Sequence, residues 1–534
     1  MEVKEQIQGF LQKHKMQIWV FTITFFCGYF IHFYVFTNKF FNYFEMNNIL
    51  TSMSFYKGDT VEQGKWFIPI LSSVSTIYSM PAVNGMIGIT FLSVFNLLVC
   101  DLLKIKGRFL GVLTGLVIMT YPSVASYFSY GVNTDVLTIA PCIGVFSIWM
   151  IEKGRQEENK KRSLCYIMVG ILLIGLTIGS YQPFFAIAIA AVYGLIFVDA
   201  LQNNLEWKEI WKKICFYAVI LIVGFVIYYE GLKLVCAITG VQVGDYHGAN
   251  EMTSFTVKGI AKGFVYTYFY FLYYFFSMEY SNYKILIIAN VILAVILAAL
   301  VVKYIAIRQE KNQKNTAMIV LLFILLPLGT NAAPFLMADR VGNGVDRYMM
   351  FSILFVYFIV IKLASDFPWK VSLKKKCNQI EQWLFIVSAI TVVISGAYMC
   401  NQAYYRMECM TNQENAYLTR VVARMENTEG WNGDIPVYIA NCRSVFNNNY
   451  DVDIPQFDNL TRVDGTELKP WYNRSAIAKY MRVYLHFPVN EATETQIKQV
   501  EQTNAYKKME SFPAESSVQI INGVMVVKFN EVAE

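Results

Sequence analysis

The sequence predicts a mainly α-helical, polytopic membrane protein with a small α+β unit at its C-terminal end. Three observations predict the membrane part: 55% of the 534 residues are hydrophobic, only 16% are charged, and the apolar residues are concentrated in long blocks. Soluble domains carry about 25% charged residues. The composition therefore excludes a disordered chain, a disulfide-rich secreted scaffold and an ordinary cytosolic enzyme. The net charge of +6 is spread over short loops, so nucleic-acid binding is not indicated.

Crossing the hydrocarbon core of a bilayer takes about 20 apolar residues. The first apolar block follows a polar stretch and lacks a small-residue cleavage site, so we expect a retained span rather than a cleaved signal. An aromatic run from Phe264 to Phe276 is expected to lie in the membrane interface, with a further span as the alternative. The blocks that predict about 11 transmembrane helices are 16–36, 83–103, 108–128, 134–151, 164–181, 183–201, 214–237, 284–304, 316–334, 346–364 and 381–401.

The distribution of Lys and Arg predicts the orientation. Clusters such as Lys104, Lys106 and Arg108 recur in alternate loops, which the positive-inside rule assigns to the cytoplasm. The N-terminus is then cytoplasmic, and loops 37–82 and 240–283 lie outside. We call the side of these two loops the predicted outer face. An odd number of spans places residues 402–534 at that face, beyond a transmembrane domain of residues 1–401.

The tail has the pattern of a folded unit rather than a linker. A helical pattern runs from Tyr404 to Met425, a strand covers 437–439, and a second helix covers 477–485. The Asn522-Gly523 pair between apolar stretches predicts a β-hairpin over 518–527. The length of about 130 residues suits one domain.

Ionisable residues at the ends of spans are the candidates for chemistry, because charge at membrane depth costs several kcal/mol. In the first outer loop, Glu45 follows the first span and could serve as a general base; alternatively it lies on the polar face of an interfacial helix. Lys65 and Trp66 could hold a phosphate and a sugar face, or anchor the loop at the interface. Asp59 is a further candidate for binding a sugar or an acceptor.

Three other places at the predicted outer face carry candidates. Asp135 begins the fourth span, where it could orient an acceptor hydroxyl or simply offset the helix N-terminal charge. Arg340 and Arg347 flank a glycine-rich turn and suit a lipid phosphate; the alternative is local pairing with Asp side chains. Tyr181 and Gln182, at the tight turn between two spans, could bind a sugar hydroxyl or cap exposed backbone. Nearby, Glu230 and Lys233 are interpreted as a structural i, i+3 ion pair.

These motifs, taken in order, resemble the GtrII-type bacterial glucosyltransferases over roughly the first 370 residues. The segments that carry the resemblance are Asn38-Lys39 through Glu45, Gly64-Lys65-Trp66-Phe67, Pro81-Ala82-Val83-Asn84-Gly85, Tyr121-Pro122-Ser123, Phe128-Ser129-Tyr130, Thr134-Asp135 and Tyr181-Gln182. The resemblance implies a GT-C type membrane enzyme. Such an enzyme takes a sugar from a polyprenyl-phosphate carrier and adds it to a cell-surface glycan at the outer face of the bacterial plasma membrane.

Two departures from the family pattern bear on the site. The family usually has one or two Asp in the first loop where this chain has Glu45, and Asp59 or Glu62 could be the true equivalent. The family's Gly-Arg-Trp is Gly64-Lys65-Trp66 here, which keeps the charge but loses the bidentate fork of Arg.

Together these observations predict an inverting hexosyltransferase, with glucose as the expected sugar. Glu45 and Asp135 would be the catalytic pair, Arg347, Arg340 and Lys65 would bind the donor phosphate, and Trp66, Asp59, Tyr181 and Gln182 would bind the sugar or acceptor. The alternatives are a transporter or flippase for a lipid-linked sugar, and a glycan polymerase or ligase with a diphosphate-linked donor.

The ten Cys and four His predict no protein-bound metal site, because they show neither CxxC spacing nor clustering. A divalent metal is compatible with the proposed chemistry but nothing in the sequence requires one. Cys400, Cys409 and Cys442 are an odd number of cysteines at the predicted outer face, so no disulfide pairing is predicted.

Overall fold

The structure is a computed structural model of the 534-residue chain and is mainly helical. It describes residues 9, 11–40, 58–73, 80–203, 205–244, 257–277, 283–307, 313–336, 347–367, 375–441, 460–461, 463, 465–466 and 474–529; within these, the side chains of 58–59, 132, 313, 347–348 and 375–378 are not described. The helices up to the tail are α1 Lys15–Thr37, α2 Gly58–Glu62, α3 Ile68–Ser72, α4 Pro81–Leu102, α5 Arg108–Met119, α6 Pro122–Ser129, α7 Thr134–Gln156, α8 Lys160–Ser180, α9 Phe185–Gln202, α10 Trp207–Thr239, α11 Val257–Phe276, α12 Lys284–Ile307, α13 Gln313–Ile324, α14 Leu326–Thr330, α15 Ala332–Leu336, α16 Leu354–Asp366 and α17 Lys375–Glu426.

The predicted fold class, a polytopic membrane protein, is confirmed. Within the described ranges, nine helical segments are long and apolar enough to cross a membrane, and the bent pair α5 and α6 would make a tenth. Ten of the eleven predicted blocks coincide with these segments. The spans thus follow from apolar length alone. The hydrocarbon core offers no hydrogen-bond partners, so a long apolar segment pairs its backbone groups with one another in a helix.

The count is lower than the expected eleven because block 316–334 is not one helix. It is divided into α13, α14 and α15. Pro327 starts α14, and Asn331 leaves the helical region with φ −133° and ψ 51°. A proline lacks the N–H that would continue the preceding helix, so an apolar stretch of sufficient length is still interrupted. A similar break at Pro122 bends α5 against α6 by 52°.

The aromatic run from Phe264 to Phe276 forms the second half of α11. The buried residues of α11, among them Gly263, Thr267 and Phe271, recur every four positions along one face. This face packs against α12, α14 and α15. In the part of the chain that the structure describes, α11 is not among the helices apolar enough to span, and its position at the interface remains a prediction.

The tail is an α+β unit built on a four-stranded sheet. Its elements are β1 Pro436–Ala440, α18 Arg474–Tyr484, β2 Asn490–Glu491, α19 Glu494–Glu501, α20 Asn504–Lys508, β3 Val518–Ile521 and β4 Val524–Lys528. The strand order is β2-β1-β4-β3, with β1 parallel to both neighbours and β3 antiparallel to β4. The hairpin predicted at Asn522-Gly523 is confirmed: both residues have positive φ, as the favoured two-residue turn requires.

The predicted helix from Tyr404 to Met425 is confirmed, but it is continuous with the last span. Both belong to α17, so the predicted domain boundary at residues 401 and 402 falls inside one helix. His32 of α1 fastens this helix to the bundle. Its Nε2 donates to the Met119 carbonyl at 2.7 Å, so its Nδ1 accepts from the Tyr404 hydroxyl at 2.6 Å.

Candidate active site

The Lys65-Trp66 pair lies in a turn between the short helices α2 and α3. The backbone N–H of Lys65 donates to the Thr60 carbonyl at 2.8 Å, and Gly64 has φ +74°. A Cβ on Gly64 would lie 2.7 Å from Gln182 Nε2 and 2.8 Å from Tyr228 Oη. Glycine is therefore required here both for the positive φ and for the close approach of two polar side chains.

Two hydrogen bonds fasten this turn to the hairpin between α8 and α9. The N–H of Phe67 donates to the Gly179 carbonyl at 2.9 Å, and Gln182 Nε2 donates to the Gln63 carbonyl at 2.7 Å. The motif in the first predicted outer loop and the Tyr181-Gln182 motif are thus in direct contact. No sequence spacing relates them, because α4, the bent pair α5 and α6, α7 and α8 lie between them in the chain.

The Trp66 indole is clamped between two helices. A Cβ on Gly179 of α8 or on Gly231 of α10 would lie 2.7 Å from the ring. The buried indole Nε1 has no hydrogen-bond partner among the residues that the structure describes. A buried donor left unpaired costs about 1–3 kcal/mol, so this N–H is suited to a ligand oxygen.

Lys65 provides the positive charge at this turn. Its Nζ donates to Gln63 Oε1 at 2.8 Å and lies 5.2 Å from the centre of the Tyr181 ring. Part of the Lys65 side chain is exposed, but the surrounding residues partly remove water from its ammonium group. This desolvation lowers the pKa of the ammonium group to about 8. An anionic ligand would favour the charged form, so this site can bind a phosphate most strongly below that pH.

Asp135 lies in the first turn of α7 and is almost fully buried, with 1% of its surface exposed. Its Oδ1 accepts a hydrogen bond from the Val136 N–H at 2.8 Å. This geometry agrees with a helix-terminus role. Helix α3, which continues directly from the Lys65 turn, packs against α7. Asp135 therefore lies on a helix, α7, that borders the Lys65-Trp66 turn. A role for Asp135 in the site requires this proximity.

Arg347 begins a 3₁₀ helix, Arg347–Ile353, that precedes α16; its side chain is not described. This 3₁₀ helix packs against α6 and against the turn that begins at Gln182. The Tyr121 hydroxyl donates to the Met350 carbonyl at 3.1 Å, and the Phe351 ring lies 5.4 Å from that of Tyr127. The backbone of Arg347 is thereby held in the same cluster of loops as Tyr181-Gln182 and the α6 segment.

Four predicted site residues receive no side-chain position. Glu45 and Arg340 lie outside the described residues, and the side chains of Asp59 in α2 and of Arg347 are not described. The structure therefore brings together Lys65, Trp66, Tyr181 and Gln182, and places the helices of Asp135 and Arg347 around them.

Sequence reasoning missed the residues that hold the turn in place. These are Gln63, Gly179, Tyr228 and Gly231. The sequence could have indicated Gly179 and Gly231, since a lone glycine in an apolar helix often marks close packing against a neighbouring helix. The Glu230–Lys233 interpretation is confirmed: the two side chains form an exposed i, i+3 ion pair at 2.9 Å.

No group of three or more His, Cys, Asp or Glu side chains in the described parts of the chain could hold a metal ion. Cys400 and Cys409 are present as free thiols, and Cys442 lies outside the described residues. A phosphate or a sugar is the ligand that the cluster of lysine, tryptophan, tyrosine and glutamine side chains suits best.

Comparison with known proteins identifies one family. The family model described as "Glucosyl transferase GtrII" matches residues 33–361, which includes every site candidate named above. No curated protein and no solved structure matches the chain.

Proposed function

The chain belongs to the GtrII glucosyltransferase family, and we propose on that basis that it transfers glucose from a polyprenyl-phosphate carrier to a cell-surface glycan. The reaction takes place at the outer face of the bacterial plasma membrane, with the N-terminus in the cytoplasm. The observation that carries the proposal is the contact between the Lys65-Trp66 turn and Tyr181-Gln182, fastened by the bond from Gln182 to the Gln63 carbonyl.

The chemistry follows from the charges around this contact. Glu45 takes the proton of an acceptor hydroxyl while the hydroxyl oxygen attacks the anomeric carbon, and Asp135 orients that hydroxyl. The bond between the anomeric carbon and the phosphate oxygen breaks, and polyprenyl phosphate leaves. The ammonium of Lys65 and the guanidinium of Arg347 stabilise its charge. A single displacement of this kind inverts the anomeric centre.

The other candidates act on binding. The Trp66 indole N–H donates to an oxygen of the donor, since it has no partner among the described residues. Tyr181 and Gln182 contact the sugar from the α8–α9 hairpin, Asp59 contacts the acceptor, and Arg340 assists Arg347 at the phosphate. When the sugar is transferred, the negative charge on the departing polyprenyl phosphate must be stabilised. The basic residues stabilise this charge whether or not a divalent metal takes part.

The test is transfer of label from polyprenyl-phosphate-[14C]glucose to an extracted surface glycan by purified protein. We expect wild type to transfer sugar, and Glu45→Gln and Asp135→Asn to lose most of the activity, because general bases contribute about 10²- to 10⁴-fold. Asp59→Asn and Glu62→Gln are assayed in parallel, and a greater loss in either would assign the base to that residue instead.

Glu230→Gln is the matched control, because this carboxylate is near the same predicted face but is paired with Lys233 and exposed. It should retain full activity. If wild type transfers no sugar but moves the labelled lipid between the leaflets of a vesicle, the enzyme proposal fails and a flippase replaces it.

A further inference from the structure

The C-terminal unit is joined to the bundle by more than a linker. Helix α17 runs from the last span into the tail without interruption. Just beyond the His32–Tyr404 hydrogen bond, the Tyr34 hydroxyl of α1 donates to the Glu408 carboxylate. The first turns of the tail are therefore fixed against the end of the first span.

A short segment of the tail folds back onto this junction. Thr461 Oγ1 donates to Gln402 Oε1 at 2.9 Å, and Arg406 Nε donates to the Thr466 carbonyl at 3.1 Å. Val463, with 1% of its surface exposed, belongs to the hydrophobic core of the bundle rather than to that of the tail sheet. Residues 460–461, 463 and 465–466, which we call the return segment, thus pack as part of the membrane unit.

The return segment touches the loop that leads to Asp135. Gly465 has φ +86°, and a Cβ there would lie 2.0 Å from Ser129 Oγ and 3.1 Å from the Tyr130 ring. Ser129 ends α6, and the chain then enters α7 with Asp135 in its first turn. A displacement of Ser129 and Tyr130 would accordingly be transmitted to the start of α7.

A second contact of the tail lies at the first predicted outer loop. The Lys39 ammonium lies 5.1 Å from the centre of the Tyr484 ring, at the end of α18. Lys39 precedes Glu45 in the chain by six residues, as Ser129 precedes Asp135. The tail therefore contacts the chain a short distance in sequence before each residue of the proposed catalytic pair.

We infer that the C-terminal unit selects and positions the acceptor glycan, with the return segment as the wall of the acceptor site. This inference rests on the proposed function. A lipid-linked donor reaches the site from the bilayer, between the spans. The glycan must arrive from the side that the tail occupies, beyond the ends of α1 and α6. The described contacts of the tail fall on these two loops, so we expect them to affect acceptor geometry more than donor binding.

The experiment compares Gly465→Ala with wild type in the transfer assay, with the concentrations of donor lipid and acceptor glycan varied separately. The added Cβ displaces the α6–α7 loop, so we expect KM for the acceptor to rise about 10-fold, which is roughly the effect of losing one hydrogen bond to the acceptor. KM for the donor should stay within a factor of two.

Gly430→Ala is the matched control. Gly430 also has φ +86°, but among the described residues its Cβ would meet only Ile520 of the tail, at 3.4 Å. It imposes the same backbone strain without touching the bundle, and should leave both KM values unchanged. A second variant guards against simple misfolding: Ser129→Gly combined with Gly465→Ala removes the closest clash, and should restore most of the acceptor affinity.

Three outcomes would overturn the inference. They are equal effects of Gly465→Ala and Gly430→Ala, a rise in donor KM equal to that in acceptor KM, or no rescue by Ser129→Gly. If wild type itself transfers no sugar, the proposed function is refuted instead. The failure of the inference and the failure of the proposed function can therefore be distinguished.

Discussion

Lys65→Arg should move the alkaline limit of activity. Burial lowers the pKa of the Lys65 ammonium to about 8, and in the proposed mechanism only the charged form stabilises the donor phosphate. Activity in wild type is therefore present below this pH and is lost as pH rises through it. Arginine keeps its charge up to about pH 12, and it is the residue that the family pattern has at this position.

The magnitude follows from the fraction of charged Lys65. With a pKa of about 8, roughly 90% of the side chain is protonated at pH 7 and roughly 10% at pH 9. The value of kcat/KM, which reports the free enzyme, should thus fall about tenfold between these pH values in wild type. In Lys65→Arg it should stay nearly constant over this range.

The assay is sugar transfer at low donor concentration between pH 6.5 and 9.5. Lys65→Gln, which carries no charge at any pH, should lose about 10- to 100-fold at pH 7, since a hydrogen bond to a charged group is worth about 1.5–3 kcal/mol. It should also show no alkaline loss near pH 8. If Lys65→Arg and Lys65→Gln lose activity with the same pH profile as wild type, the limit belongs to another group and Lys65 does not bind the phosphate.

Further predictions concern packing and orientation. Gly64→Ala should lower both activity and thermal stability, because a Cβ would lie 2.7 Å from Gln182 Nε2. Gly107 has φ +96°, and no atom of the described residues lies within 4 Å of its Cβ. Gly107→Ala therefore isolates the backbone penalty of about 1–2 kcal/mol and should keep its activity. His32→Leu should destabilise the protein in detergent by about 2–4 kcal/mol, because the Tyr404 hydroxyl and the Met119 carbonyl both lose their partner. Tyr404→Phe should cost about 1 kcal/mol. If both variants melt at the same temperature as wild type, these hydrogen bonds do not fix the junction. Protease added to intact spheroplasts should remove the tail, and protection of the tail would reverse the predicted orientation.

Much of the fold could be predicted because its causes are local. Apolar length alone gave ten of the eleven spans, and the Asn522-Gly523 turn identified the hairpin. The break of block 316–334 was missed, since hydropathy does not respond to a single Pro327 or to the backbone at Asn331. The continuity of α17 was missed for the opposite reason, because a change from apolar to polar composition does not by itself end a helix.

The sequence by itself determined the membrane spans, the α+β tail and, through short motifs in order, the resemblance to a glucosyltransferase family. Each of these depends on periodicity, composition or neighbouring residues. Only the tertiary structure decided that Gln182 holds the Lys65-Trp66 turn, that Gly179 and Gly231 clamp the Trp66 ring, and that Gly465 of the tail touches Ser129. These contacts join residues separated by whole helices, and packing alone determines which of many distant side chains meet.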